Sequence, residues 1–192
     1  MKTPFLAGSK VNLRSLERGD FPAMADWLND DEVTRLLFMG LWPSNVELLT
    51  AQWERDRQSS EEVAFAVCDA KTNAFVGTTG LYRIQWVMRT AEFRIFLGDK
   101  TVWNRGIGTE CATLMAGYGF EKLNLNKVWL GVNSENIGGV RAYEKAGFVH
   151  EGILRQEQYR NSRYYDAIRM SMLRSEYERL RDERVLCAQE AT

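Results

Sequence analysis

The succession of a strand, a glycine-rich turn and a helix over residues 91–118 constrains the fold of this chain most. The stretch AEFRIFLGD at 91–99 alternates apolar and polar residues, as a half-buried strand does. The stretch VWNRGIGTEC at 102–111 follows, and apolar residues then recur at helical spacing. A strand that passes through a short turn into a helix is typical of a mixed α/β sheet.

Patterns on both sides of this unit extend the assignment. Strand patterns occupy residues 10–16, 63–69, 74–84, 127–133, 148–155 and 164–173, and the second and third of these form a predicted hairpin. Helix patterns occupy residues 17–30, 44–58, 136–148 and 174–185, while residues 30–43 fit no single element. Asp20 is a candidate N-cap of the first helix, and Ser44 with Glu47 forms a candidate capping box for the second. We therefore predict one α/β domain over residues 1–192, with a charged helical tail from about 174 to 192.

Composition excludes several classes of protein. The formal net charge is −1, so no global field attracts nucleic acid. No apolar run approaches the roughly 18 residues of a membrane span. Cys68, Cys111 and Cys187 lie far apart, with neither zinc spacing nor a disulfide framework. We therefore expect a cytoplasmic protein with no metal, no nucleic-acid partner and no membrane partner.

Two interpretations of the turn at residues 105–109 stay open from its own residues. The first turn of a helix presents backbone N–H groups without internal partners and the positive end of the dipole, which suits a phosphate group. The glycines serve equally well as a plain strand-to-helix turn. The chain lacks the third glycine of G-x-G-x-x-G and contains no G-x-x-x-x-G-K-[ST], which excludes two common nucleotide loops.

A second stretch, VNSENIGGVRAYEKAGF at 132–148, favours the phosphate interpretation. Together with VWNRGIGTEC it resembles the GNAT superfamily of acyl-CoA N-acetyltransferases, whose pattern is Q/R-x-x-G-x-G/A followed by V-N-x-x-N and Y-x-K-x-G-F. The resemblance spans most of residues 9–174 and is nearest to the branch of spermidine, ribosomal-protein N-terminal and nucleotide-amino-sugar acetyltransferases. The departures from the pattern are Trp103 for Gln or Arg, Asn104 for glycine, and Gly138-Gly139 for a small or hydroxyl residue.

The resemblance implies a GNAT fold, in which a mixed central sheet has splayed strands and helices on both faces. It also implies acetyl-CoA as co-substrate, with the pantetheine arm between the strands at 91–99 and 127–133. The residues implied to bind it are Arg105, Gly106, Ile107, Gly108 and Thr109, through backbone amides at the pyrophosphate, and Asn133 and Asn136 at the arm. Asn136 is equally an N-cap, and both roles can hold because they use different atoms.

Tyr143 occupies the position of the family's general acid. A phenol near the sulfur can donate a proton to the departing thiolate. The residues alone leave a core aromatic open, because Ile137, Val140 and Tyr143 share one helical face.

Glu92 is the candidate base. An alkyl amine has a pKa near ~10, so it must lose a proton before attack. Glu92 lies between Ala91 and Phe93 and points to the opposite face of the strand. An ordinary glutamate on a polar face is the equal alternative.

The resemblance implies that the first two helices and their connection, within residues 20–62, cover the acceptor site, and this stretch holds ten acidic residues against three arginines. Such a field attracts a cationic amine, and Asp30 and Asp31 are our candidates for it. Two helices with solvated acidic faces are an equally good explanation. Trp27, Trp42 and Trp86 either line a pocket or fill the core.

We therefore predict an acetyl-CoA-dependent N-acetyltransferase that acts on a primary amine by direct attack in a ternary complex. The favoured acceptors are a polyamine, an aminoglycoside-like amine or a peptide N-terminus. A nucleotide-linked amino sugar and a non-catalytic acyl-CoA-binding module are the alternatives. Cys111 has no His and Asp companions, which argues against an acyl-enzyme. We also expect a homodimer or a higher homo-oligomer.

Overall fold

A single mixed sheet organises the computed structural model, which describes residues 3–190. Its strands are β1 (Leu6–Ala7), β2 (Val11–Ser15), β3 (Val63–Asp69), β4 (Phe75–Gln85), β5 (Thr90–Leu97), β6 (Lys127–Asn133), β7 (Val149–Arg160) and β8 (Arg163–Leu173). The helices are α1 (Phe21–Leu28), α2 (Asp31–Thr34), α3 (Val46–Asp56), α4 (Ile107–Gly117), α5 (Ile137–Ala146) and α6 (Arg174–Glu190). Short 3₁₀ turns at Arg18–Asp20 and Lys100–Val102 and a π turn at Tyr118–Lys122 complete the elements.

The strand order is β1-β2-β3-β4-β5-β6-β8-β7. Neighbouring strands are antiparallel except β5 and β6, which run parallel. The chain crosses from β5 to β6 through α4, as a parallel connection requires. The predicted mixed α/β sheet is confirmed.

Helices cover both faces of this sheet. Ala91 and Phe93 of β5 belong to the buried core that also contains Cys111 of α4. Phe96 points to the other face, where its ring lies 6.2 Å from that of Trp27 on α1. Alternate residues of β5 therefore pack against helices on opposite faces of the sheet.

The two central strands splay apart after a short paired region. Pairing between β5 and β6 runs from Thr90 with Lys127 to Glu92 with Trp129. Both strands continue for several residues beyond this point, to Leu97 and Asn133. Beyond Glu92 and Trp129 the two backbones are no longer paired, and the predicted splay is confirmed.

Local caps differ from the sequence prediction at two helices. Asp20 stands at the N-cap position of α1, but its carboxylate accepts bonds from Arg14 and the Glu17 N–H and makes no capping bond to the helix. The capping box assigned to Ser44 is wrong, because the Asn45 side chain, one residue later, accepts the Leu48 N–H at 2.8 Å. Ser44 instead exchanges bonds with the side chain of Asn29. The unassigned stretch 30–43 contains α2, which Asp30 caps by accepting the Glu32 N–H at 2.9 Å.

The ends of the chain bear on two further predictions. The predicted closing strands are longer than their patterns, because β7 and β8 form a hairpin across the turn at residues 161–162. The charged tail is helical through α6, and its last two residues, 191 and 192, lie outside the described residues.

Candidate active site

The glycine turn leads into α4 with a left-handed residue at its N-cap. Gly106 has φ +80°, and its carbonyl accepts the Glu110 N–H at 3.1 Å, the first bond of the helix. The amides of Ile107, Gly108 and Thr109 precede that bond and have no partner one turn back in the helix. Asn104, where glycine is common, has φ +61°, a conformation that asparagine tolerates better than most residues.

A carboxylate ties this turn to the start of the chain. Glu110 accepts the backbone N–H groups of Ser9, Lys10 and Val11 at 2.7–2.9 Å. Burial opposes ionisation of Glu110, but these bonds together with the Ser9 hydroxyl outweigh it and lower the pKa of the carboxyl. The tether brings the Lys10 ammonium to 3.0 Å from the Arg105 carbonyl.

The turn has two features that would suit a pyrophosphate group. It combines unpaired helical amides with a lysine ammonium, both of which attract an anion. A Cβ at Gly106 would lie 2.7 Å from Lys10 Nζ, whereas one at Gly108 would touch only Ala142, at 3.9 Å. The approach to Gly108 is therefore open, and sequence reasoning missed Lys10 because it lies 95 residues from Arg105.

A cavity of about 270 Å³ fills the splay, and we call it the gap cavity. Its walls include Glu92–Ile95 of β5, Trp129–Asn133 of β6 and Tyr143 of α5. Both predicted catalytic side chains thus line one cavity. A thioester held between the strands would lie against these walls.

Tyr143 contacts the apolar floor of the gap cavity. Its ring lies 6.0 Å from Phe93 and 6.4 Å from Phe148, both in edge-to-face arrangements. Burial, with a smaller contribution from Cys111, raises the pKa of the Tyr143 phenol. The hydroxyl therefore keeps its proton at neutral pH, as a general acid must.

Glu92 lies on the polar face of β5 and is held by arginine. Its Oε2 accepts a bond from Arg94 at 2.7 Å and lies 3.6 Å from Arg83. The side chain lines the gap cavity and is 14% exposed, so its carboxylate is accessible from the cavity and is otherwise enclosed by protein. Both arginine contacts are made to Oε2, and they hold in place the carboxylate that would receive a proton.

The two predicted asparagines are bound within the protein. Asn136 Oδ1 accepts the Gly139 N–H at 2.9 Å and so caps α5. The Asn133 side chain is fully buried, accepts the Glu135 N–H at 2.9 Å and donates to Gln158 at 2.6 Å. These bonds occupy Oδ1 of both residues and Nδ2 of Asn133. A bond to a pantetheine arm would therefore use the other polar atoms of these residues.

A second cavity of about 410 Å³ lies between α1, α3 and the sheet, and we call it the helix-side cavity. Met39, Arg94 and Ile95 line both cavities, so the two adjoin. Asp56 and Glu62 also line the helix-side cavity, among mostly apolar side chains. Burial and then the Asp56 carboxylate raise the pKa of Glu62, partly offset by Arg94.

Of the five predicted acceptor residues, one lines either of these two cavities. Trp42 lies in the wall of the helix-side cavity. Trp27 packs on Phe75 and Phe96, while Trp86 donates to the Ser60 carbonyl at 3.0 Å. Asp30 pairs with Lys100 at 2.9 Å, and Asp31 lies 3.5 Å from Arg160.

Comparison with known proteins identifies the family. The family profile described as "Acetyltransferase (GNAT) domain" matches residues 10–149 of this chain. The chain belongs to the GNAT acetyltransferase family. It is an acetyl-CoA-dependent N-acetyltransferase, and the predicted co-substrate is confirmed.

Relatives of known activity lie in the predicted branch. The spermidine N(1)-acetyltransferase of Vibrio cholerae serotype O1 is 34% identical over 88% of this chain and 96% of its own length. That of Escherichia coli K12 is also 34% identical, over 87% of this chain and 88% of its own. The crystal structure of the Vibrio cholerae enzyme with CoA and spermine superposes with a TM-score of 0.81, at 32% identity over 88% of this chain and 99% of that one.

Other features of the described region concern membranes, metals and thiols. None of the helices within residues 3–190 combines the length and apolar character needed to cross a bilayer. Across the same residues, no group of three His, Cys, Asp or Glu side chains is placed to hold a metal. Cys111 is completely buried, which raises the pKa of its thiol and makes it a poor nucleophile.

Proposed function

We propose that this enzyme transfers the acetyl group of acetyl-CoA to a primary amine of a polyamine such as spermidine. The observation that carries this proposal is the acidic pair Asp56 and Glu62 in a largely apolar cavity that adjoins the gap cavity. A polyamine has the same alternation of charge and alkyl chain. The relatives named spermidine N(1)-acetyltransferase support the same class of acceptor.

The proposed chemistry assigns one role to each group of the site. The amides of residues 105–109 hold the pyrophosphate of coenzyme A, and Lys10 adds a positive charge beside them. Glu92 accepts a proton from the ammonium, directly or through a water, and the free amine forms the new C–N bond. As the C–S bond breaks, Tyr143 donates its proton to the thiolate, and the second proton that the nitrogen loses as it becomes an amide restores the phenol. Direct transfer in a ternary complex needs no cysteine.

A thiol-release assay tests the acceptor. We expect turnover with spermidine and spermine, slower turnover with butylamine, and little with glucosamine or a nucleotide-linked amino sugar. Butylamine has the alkyl amine but lacks the distal ammonium that the acidic pair would bind. Preferred turnover of an amino sugar, or thiol release without any amine, would refute the polyamine assignment.

Replacing Glu92 with glutamine should produce a deficit in kcat/KM that depends on pH. Glutamine still accepts a bond from Arg94 but cannot take a proton at neutral pH. We expect a loss of roughly 10²-fold near pH 7, which shrinks as pH rises toward the amine pKa of about 10 because free amine needs no base. Glu157→Gln is the matched control, since Glu157 lines the same cavity. A deficit equal at every pH would remove Glu92 from the proton transfer.

Protonation of Glu62 should weaken the preference for a polyamine over a monoamine. Because the pKa of Glu62 is raised, its charge is lost at a higher pH than that of an ordinary glutamate as pH falls. The ratio of kcat/KM for spermidine to that for butylamine should therefore fall on acidification, since proton transfer affects both substrates alike. Glu62→Gln should lower this ratio roughly tenfold, about one charge-assisted hydrogen bond, and abolish its pH dependence. Glu61→Gln should change neither, because Glu61 is exposed and outside the cavity wall.

The cytoplasmic location and the homo-oligomer stay predictions. Free, buried Cys68 and Cys111 are consistent with a reducing compartment. The edge strand β7 exposes the apolar side chains of Val149, Ile153 and Tyr159, and an exposed edge of this kind favours contact with a second copy.

A further inference from the structure

Residues 34–42, the last of α2 and the connection toward α3, form a wall that the two cavities share, and we call it the common wall. Residues 36–39 line the gap cavity and residues 39–42 line the helix-side cavity. Beyond Thr34 the common wall belongs to neither a helix nor a strand. Its position therefore depends on contacts with other parts of the protein.

Two side chains of β7 supply those contacts. Arg160 donates to the Met39 carbonyl at 2.8 Å, to the Gly40 carbonyl at 3.0 Å and to the Thr34 hydroxyl at 2.8 Å. Gln158 donates to the Leu37 carbonyl. Both side chains are buried, at 7% and 6% exposure. Three of the four residues from 37 to 40 are thus held through their backbone carbonyls.

Gln158 also connects the common wall to β6. Its Oε1 accepts the bond from Asn133, which ends β6 in the wall of the gap cavity. The link Asn133–Gln158–Leu37 therefore runs from the end of β6 to the common wall. Gln158 thus anchors the common wall to a central strand of the sheet.

The surroundings of Arg160 indicate that it positions the common wall more than it stabilises the fold. Its nearest carboxylate, Asp31 at 3.5 Å, is 69% exposed and compensates the buried guanidinium weakly. Arg160 Nε lies buried without a hydrogen-bond partner among the described residues. A buried charge with partial compensation is costly for stability, whereas a planar fork that spans several carbonyls fixes their geometry.

We propose that Gln158 and Arg160 are positioning residues that set the affinity for the amine by holding the common wall against both cavities. The proposal rests on the proposed function in one respect, because it takes the two cavities as the route of the acceptor. Neither residue touches the reacting atoms. Their effect should appear in the binding of amine and not in the binding of acetyl-CoA at the glycine turn.

The test is steady-state kinetics of Arg160→Met and Gln158→Glu. Methionine keeps a long side chain without donors, and glutamate keeps the bond from Asn133 but cannot donate to Leu37. We expect the KM for spermidine to rise at least tenfold in each, with kcat and the KM for acetyl-CoA changed less than threefold. Arg160→Lys, which can reach one carbonyl but cannot span the set, should give an intermediate KM.

Arg163→Met is the matched control on the same hairpin. Its guanidinium is 62% exposed and pairs with Glu135, away from the common wall. It should leave every constant within twofold. An unchanged KM for spermidine in folded Gln158→Glu and Arg160→Lys, or an equal rise in the KM for acetyl-CoA, would overturn the proposal.

Hydrogen exchange separates this proposal from the polyamine assignment. Amides of residues 35–42 should exchange at least tenfold faster in Gln158→Glu than in the wild type, while those of α4 should not change. This readout needs no substrate. Absence of turnover with spermidine would refute the acceptor class, whereas unchanged exchange of the common wall would refute the positioning role.

Discussion

Gly108→Glu should abolish binding of coenzyme A while the protein stays folded. An added Cβ at Gly108 touches only Ala142, at 3.9 Å, and glutamate in a first helical turn is favourable for the helix. Its carboxylate would lie among the amides that are proposed to hold the pyrophosphate, where it would block and repel that group. Gly106 is less suitable for this test, since its φ of +80° would strain any other residue.

Thermal melting with coenzyme A measures this effect directly. At a concentration of 100 times Kd, binding stabilises a protein by about 2.7 kcal/mol, which is a rise in Tm of roughly 5–10 °C for a domain of this size. The wild type should show that rise and Gly108→Glu should show none. Gly152→Glu is the matched control, because a Cβ there meets no atom within 4 Å and β7 lies away from the turn. A normal rise in Gly108→Glu would refute the phosphate site.

Features carried by short stretches of sequence were predictable. The positions of the glycine turn, Glu92 and Tyr143 follow from two stretches, 102–111 and 132–148, with the strand before them, and the splay of β5 and β6 follows from the family resemblance that these stretches carry. The position of each of these residues is set by its own local backbone or by the adjacent strand, so a short stretch of sequence is enough to predict it. Alternation alone places Glu92 on the face opposite Ala91 and Phe93, as found.

Contacts between distant parts of the chain were not predictable in this way. Asp56 and Glu62 were only two of ten acids in residues 20–62, and nothing local marks them as the pair in the cavity. Asp30 and Asp31 looked equivalent but meet Lys100 and Arg160 instead.

The common wall shows the same limit. Its bonds join residues 120 to 126 positions apart, and residues 30–43 have no periodicity that predicts their shape. One-residue shifts such as the cap at Asn45 in place of Ser44 are decided by local backbone angles, because both residue types cap equally well.

Tyr143→Phe should lower kcat by roughly 10²–10⁴-fold, the usual contribution of one general acid. The ring contacts with Phe93 and Phe148 survive the change, so the Tm and the affinity for acetyl-CoA should stay close to the wild type. Tyr118→Phe is the matched control, since burial raises the pKa of that phenol too, yet its ring packs on Phe65 outside the cavity walls. The measurement is a single-turnover rate of acetyl transfer, which excludes product release as the limiting step. Each variant removes one hydroxyl, but only that of Tyr143 belongs to a side chain that lines the gap cavity. Equal rates in the two variants would therefore assign Tyr143 a packing role. The departing thiolate would then take its proton from water.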